Sequence, residues 1–401
     1  MKTIFLAAVI VVFSTVLRAQ EEDTISNLYR NTADQLIRNS GKLNIGGYGE
    51  VHYNQPVSKD LLKPGTLDVH RIVLFLGYNF NRKTQFISEI EFENAKELWV
   101  EQAFLQHKIN KYINFKAGLI LVPMGIMNEY HEPTTFNGVE RPVIDNLIGL
   151  STWREVGAGF SGTILPLSLK YQTYIVGGLN GYDTKAVFNS SKGLREGRQK
   201  GSKAYVNSPA FTGKIEYFGI KNLNIGLSGY AGKSQSRLSG NLHKDSTDLK
   251  ANADSSVVGI SMLGTDFRYQ IKGFELRGQI YVTNLSNTNQ YNVFTRSGGK
   301  NNDLGSRILG YYAEAGYNVL RLIPKTEYAL IPFIRYEFYD MHSSVGDETT
   351  KNDIYNNTMI TSGLTFRFTR NAVLKSDIQF SKPASSGEWS KSLNFGMGVM
   401  F

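Results

Sequence analysis

Between residues 122 and 152 the chain gathers Glu129, His131, Glu132, Glu140, Arg141 and Asp145, with Pro123, Pro133 and Pro142 stiffening the stretch. A connection this long is too long for a casual hairpin and is a common place for function. Carboxylates and a guanidinium at this density, held in a narrow passage, sort ions by sign. The expectation is a constriction loop folded into a lumen; the plainer reading is an outer loop at a subunit contact or in solvent. The run Glu129-Tyr130-His131-Glu132 also offers carboxylate and imidazole ligands suited to a divalent ion. It lacks a second histidine or a ligand spacing, so a solvated charged turn is preferred, and neither a metal nor a cofactor is expected. Catalysis is not expected either. His52, His70, His107, His131, His243 and His342 have no nucleophile pattern beside them. Gly157-Ala158-Gly159-Phe160-Ser161-Gly162 matches G-x-G-x-x-G, but no helix follows it, so the dinucleotide reading fails its context. These read as wall glycines.

A second set of charges repeats every two residues. Glu89, Glu91 and Glu93 share one face, as do Glu275 and Arg277, and Arg335 and Glu337. Only β-strands place alternate residues on one face. The apolar partners Phe86, Ile90 and Phe92, or Phe274, Leu276, Ile280 and Val282, fall on the opposite face. One face suits lipid and the other water, so these charges are expected to line the wall of a pore. The run Lys192, Arg195, Arg198, Lys200, Lys203 reads as a basic loop at a pore mouth, for anions or lipopolysaccharide phosphates, or as a solvated loop.

The elements that must position these residues follow from the same period. Candidate strands are 43–55, 67–79, 84–93, 98–109, 113–121, 153–164, 167–179, 209–218, 223–232, 256–270, 274–285, 307–320, 328–340, 358–369, 372–380 and 392–401. That is an even number, joined by tight connections that alternate with mostly long ones. Transmembrane β-barrels show this asymmetry. Inside a bilayer every backbone N–H and C=O needs a protein partner, so the sheet must close. The expected fold is all-β, a closed antiparallel transmembrane β-barrel of sixteen strands over 43–401, wide enough for an aqueous lumen.

Composition agrees. Tyr and Phe are abundant (22 and 23), Gly reaches 39 and Cys is absent. The apolar run Ile4 to Val16, after Lys2 and before Leu17-Arg18-Ala19, reads as a signal peptide over 1–19. Residues 20–42 read as a polar periplasmic lead. Without Lys2 and Arg18 the chain has 42 basic residues against 35 acidic, about +7. Leu393, Phe395, Met397, Val399 and Phe401 alternate to the last residue, similar to the assembly signal of outer-membrane proteins.

The segments Leu43-Asn44-Ile45-Gly46-Gly47-Tyr48-Gly49-Glu50-Val51-His52-Tyr53, Pro123-Met124-Gly125, Phe136-Asn137-Gly138-Val139-Glu140-Arg141-Pro142 and Thr152-Trp153-Arg154-Glu155-Val156-Gly157-Ala158-Gly159 together resemble the phosphate-selective porin (O/P type) family. The resemblance implies a sixteen-stranded barrel, commonly a homotrimer, with loops folded into the pore, arginines along the lumen and a lysine cluster at the constriction. The matching segments hold Arg141 and Arg154 among many acids and no lysine cluster. The expected function is an outer-membrane channel for passive diffusion of small hydrophilic solutes or ions, anions such as phosphate included. Alternatives are a sugar channel, with Tyr48, Tyr174, Tyr230, Tyr281 and Tyr312 as an inward aromatic track, and a non-conducting structural or adhesive barrel. Expected partners are the lipid bilayer and lipopolysaccharide, small solutes or ions, further copies in a homotrimer and the barrel-assembly machinery, with no nucleic acid.

Overall fold

The alternation closes into a cylinder. The structure is a computed structural model that describes residues 41–401 apart from Lys59, Asn241 and Lys244; the expected signal peptide and nearly all of the polar lead lie outside the described residues. Sixteen strands form one closed sheet. They are β1 (Leu43–Val57), β2 (Thr66–Asn79), β3 (Thr84–Glu93), β4 (Glu97–Lys108), β5 (Asn114–Leu121), β6 (Arg154–Ile164), β7 (Leu169–Val176) and β8 (Ala210–Ile220). The rest are β9 (Leu223–Lys233), β10 (Gly259–Ile271), β11 (Phe274–Ser286), β12 (Arg307–Tyr317), β13 (Ala329–Ser344), β14 (Asn356–Thr369), β15 (Ala372–Pro383) and β16 (Ser390–Met400). Each pairs antiparallel with the next, and β16 returns to β1 with Tyr48 opposite Met400 and Val57 opposite Lys391. The barrel sheet leaves none of its own edges open, which is the condition for a sheet in hydrocarbon.

The outer face carries the expected belt. Ile45, Ile72, Ile175, Phe211, Leu227, Leu263 and Ile334 are all more than half exposed. At the tight-turn end aromatic rings pair along the rim, Tyr78 with Phe80, Phe115 with Phe160, and Phe366 with both Tyr328 and Phe368. Amphipathic rings at that level mark the membrane interface. Among the described residues no helix is long and apolar enough to cross a membrane; this chain crosses with strands.

Three features differ from the alternation read off the sequence. Strand 167–179 shrinks to β7, because Leu165–Leu167 with Pro166 forms one 3-10 turn, and Gly178 at φ +91° turns the chain away. Strand 328–340 extends to Ser344. The inner face is also not uniformly polar. Val73, Phe75, Ile87 and Phe104 point inward, in one buried cluster with Val122, Met124, Ile144, Ile148, Leu150 and Trp153 of the 122–153 connection. Inward apolar residues are stable there because the loop supplies them with a core.

Candidate functional site

The 122–153 connection leaves β5 and is hydrogen-bonded to inward side chains all round the barrel. On one side Glu140 Oε1 meets His52 Nδ1 of β1 at 3.1 Å and accepts from Asn54 at 3.0 Å. On β8 Lys214 Nζ donates to the Gly125 carbonyl at 2.6 Å and pairs with Glu129 at 3.1 Å. On β9 Ser228 Oγ accepts from the Gly125 N–H, and on β11 Gln279 Oε1 accepts from the Ile126 N–H at 2.6 Å. On β13 and β15, Glu337 accepts the Val143 N–H at 2.6 Å and Asp377 the Val139 N–H at 2.7 Å. Inward glycines make room for it. A Cβ on Gly398 of β16 would stand 2.5 Å from Pro133, and one on Gly310 of β12 would stand 2.5 Å from Ile148. The loop needs these partners because a buried connection has polar backbone groups that must be satisfied.

Its one short helix, α1 (Val143–Leu147), holds Asp145, which accepts from the Gln279 amide and from the Tyr281 hydroxyl at 2.9 Å. Burial pushes the Asp145 carboxyl up to about 7, against those hydrogen bonds, which pull it down.

The wall charges named above fall into two groups. Glu89 and Glu91 are buried on β3, and Glu93 ends that strand half-buried. With Glu50 and Glu101 they make an acidic arc on β1 to β4. Arg71 of β2 spans it, 2.7 Å from Glu50 and 3.1 Å from Glu91. On the loop, Arg141 donates to the His131 carbonyl at 3.0 Å and stands 3.6 Å from Glu50. The second group lies on β11 to β13. Arg277 pairs with Glu314, and Arg335 binds Glu337 at 2.8 Å, Glu314 at 3.3 Å and the Glu140 carbonyl at 3.1 Å.

The run Glu129-Tyr130-His131-Glu132 is not the solvated turn preferred from the sequence, since all four residues are buried among loop and wall, and its own carboxylates and imidazole do not converge as a chelate either. Glu129 turns toward β7 and β8, where Gln172 and Lys214 hold it. His131 turns the other way, toward Glu89 and Glu101, and Glu132 is buried with its carbonyl accepting from Thr135. The basic run at 192–203 also divides. Lys192 stays exposed and pairs with Glu196, but Arg195 donates to the carbonyls of Asn146 and Ser151. Arg198 reaches Ser151 at 2.7 Å and Thr152 at 3.1 Å. These two guanidiniums clamp one loop to another, which removes them from the expected anion-gathering role. Burial draws Arg198 down to about 9, with Arg195 beside it adding to the effect.

Several inward groups escaped the sequence reading. Lys170, Lys214 and Arg268 surround Glu216, with Arg268 2.7 Å from it, and Lys170 donates to Tyr130 at 3.0 Å. Their signal was present: each lies at the watery parity of β7, β8 or β10. Glu101 had none. Glu89 faces Gln102 while Ile90 faces Val100, so Glu101 is the extra residue of a β-bulge. Between the loop and the tight-turn end of β10, β11 and β14 a cavity of about 170 Å³ is lined by Arg268, Arg277, Arg367, Glu275, Glu314 and Tyr130.

No family model matches the chain. Two solved structures share its architecture. The anion-selective porin from Comamonas acidovorans aligns with a TM-score of 0.56 at 12% identity, over 90% of this chain and 99% of that one. The trimer form of OmpT, an outer membrane protein of Vibrio cholerae, aligns with a TM-score of 0.51 at 9% identity, over 90% of this chain and 100% of that one. These likenesses concern the fold. By sequence, an uncharacterized protein of Aquifex aeolicus (strain VF5) is 32% identical over 315 residues, 76% of this chain and 67% of that protein. With its closed sheet, lipid-facing belt and rim of aromatics, the chain has the fold of the porin-type outer-membrane β-barrels and belongs to the same family as the Aquifex aeolicus protein.

Proposed function

We propose that this barrel is a porin, a water-filled channel for passive diffusion of small hydrophilic solutes and ions, with the 122–153 loop as its constriction. One observation carries the reading: hydrogen bonds to side chains on β1, β8, β9, β11, β13 and β15 hold that loop across the barrel. A loop fixed from all sides would narrow the lumen, and fixed charges in a narrow passage select by sign. Of the proposed constriction residues Glu129, His131, Glu132, Glu140, Arg141 and Asp145, only Glu140 and Arg141 are half-buried and placed to meet solute, and the other four are buried where they fix the loop; on the wall Glu93 and Arg277 are half-buried, while Glu89, Glu91, Arg335 and Glu337 are buried beneath it.

Small anions such as phosphate are the proposed preference. Three arginines against two glutamates line the cavity at the tight-turn end; Lys170 and Lys214 on β7 and β8 are matched by Glu216, Glu129 and Asp266 and add no excess. The anion selectivity of the Comamonas acidovorans porin and the resemblance to the phosphate-selective porins support the same reading. A homotrimer is proposed by analogy with the Vibrio cholerae trimer. A sugar track is disfavoured: Tyr48, Tyr174, Tyr230, Tyr281 and Tyr312 do point inward, but each is at most 3% exposed and offers no open ring face.

Single-channel recording in planar bilayers tests this. Discrete conductance steps and a reversal potential on the anion side, with phosphate reducing the chloride current, are the expected result. A purified, folded barrel that gives no steps overturns the channel reading, and a cation-side potential overturns the anion preference alone.

A further inference from the structure

Three side chains from separate parts of the chain aim one atom each at a common point between wall and loop. Glu89 stands on β3, Glu101 on the β4 bulge and His131 on the loop, and none is more than 3% exposed. The ligand atoms lie within 4.8 Å of one another. His131 Nε2 is 3.4 Å from Glu101 Oε2 and 3.5 Å from Glu89 Oε1. Each of these three atoms is buried without a hydrogen-bond partner.

The other atom of each group is engaged. His131 Nδ1 lies 3.2 Å from the Asn128 carbonyl, which can only accept, so Nδ1 carries the proton. Glu89 Oε2 accepts from Gln102 at 2.6 Å, and Glu101 Oε1 faces Arg154 at 3.4 Å. With Nδ1 held there, Nε2 faces the two carboxylate oxygens. Two carboxylates meeting in a dry site repel one another unless a positive charge stands between them, a proton on Nε2 or a metal ion in its place.

The spacing identifies the kind of cation. A direct charged N–H···O bond closes to about 2.7–2.9 Å. Ligands about 2.0–2.2 Å from a tetrahedral ion stand about 3.3–3.6 Å from each other. The observed 3.4 and 3.5 Å match the second geometry. We infer that Glu89, Glu101 and His131 form a binding site for one divalent cation of the zinc type, which ties the loop to β3 and β4. One imidazole and two carboxylates suit such an ion, and its two charges balance theirs. The second shell is in place, with Asn128 behind the histidine and Gln102 behind Glu89, as metal-ligating groups require. Tyr48, packed edge-on to His131 with ring centroids 6.0 Å apart, adds a buried hydroxyl without a hydrogen bond.

The test is metal binding to the full chain, folded in detergent, stripped with a chelator and titrated with zinc or cobalt(II) salts. Calorimetry is expected to give about one ion per chain, and cobalt the visible bands of a tetrahedral N/O site. His131→Ala and Glu101→Gln each abolish both signals, while His107→Ala, at an exposed histidine, changes neither. Zinc raises the melting midpoint of the parent chain and not of Glu101→Gln. Glu101→Gln keeps the shape of the site, so it gives a reading even if His131→Ala does not fold. A folded parent chain that takes up no ion, or stoichiometric binding that survives both Glu101→Gln and His131→Ala, overturns the proposal.

Discussion

Glu101 and Gln102 are neighbours in sequence, yet both point into the barrel, 0% and 6% exposed. Strict alternation would send one of them into lipid. The β-bulge against Glu89 and Ile90 absorbs one residue and turns both side chains inward. Deleting Glu101 should therefore restore an ordinary strand and leave assembly intact. Deleting Gln106, in the regular part of β4, should reverse the faces of half the strand and block assembly. Heat-modifiable migration of the refolded proteins on gels distinguishes the two.

Arg335 joins Glu337, Glu314 and the Glu140 carbonyl. Arg335→Ala leaves two buried carboxylates short of a partner and should cost about 3–5 kcal/mol. Arg335→Lys should recover only part of that, since an ammonium cannot match the fork of three contacts. Chemical unfolding in detergent measures both.

Replacing Glu129, Glu132 and Glu140 together by Gln should move the reversal potential further toward anions. Glu140, with 37% of its side chain exposed, should account for most of the change. Unchanged selectivity would count against the loop as the ion filter.

Burial raises the Asp145 carboxyl from 3.8 to about 7. Between those values the unfolded chain has released a proton that the folded chain still holds, so this residue's contribution to stability falls as pH rises through the window and levels off above it. Asp145→Asn still accepts from Gln279 and Tyr281 but has no such penalty. Its stability relative to the parent should increase from pH 4 to pH 7 and then stay constant. A flat difference in melting midpoint over that range would show that the carboxyl titrates normally.

The glycines at 157 and 159 stand where β6 and β7 approach each other. A Cβ on Gly159 would lie 2.0 Å from the Thr173 carbonyl oxygen. Gly159→Val should prevent closure and leave the chain unfolded in detergent, as judged by loss of β circular dichroism and of the heat-modifiable band.

Period-two alternation determined the barrel. Ile45 and Phe395 on one face, His52 and Glu89 on the other, carry that information locally, because each residue's side of the wall depends only on its parity. Turn lengths then set the strand number, and the basic groups Lys170 and Lys214 were legible by the same parity. What tertiary structure decided is which charges meet. Glu129 and His131 lie two residues apart and end on opposite sides of the loop, while His131 joins two glutamates 30 and 42 positions away. Arg195 and Arg198 looked like a solvent-facing patch until another loop offered them carbonyls. The bulge that aims Glu101 inward has no composition signature. Such pairings depend on how a long connection packs inside a closed wall, and that path is set by many weak contacts between residues far apart in the chain.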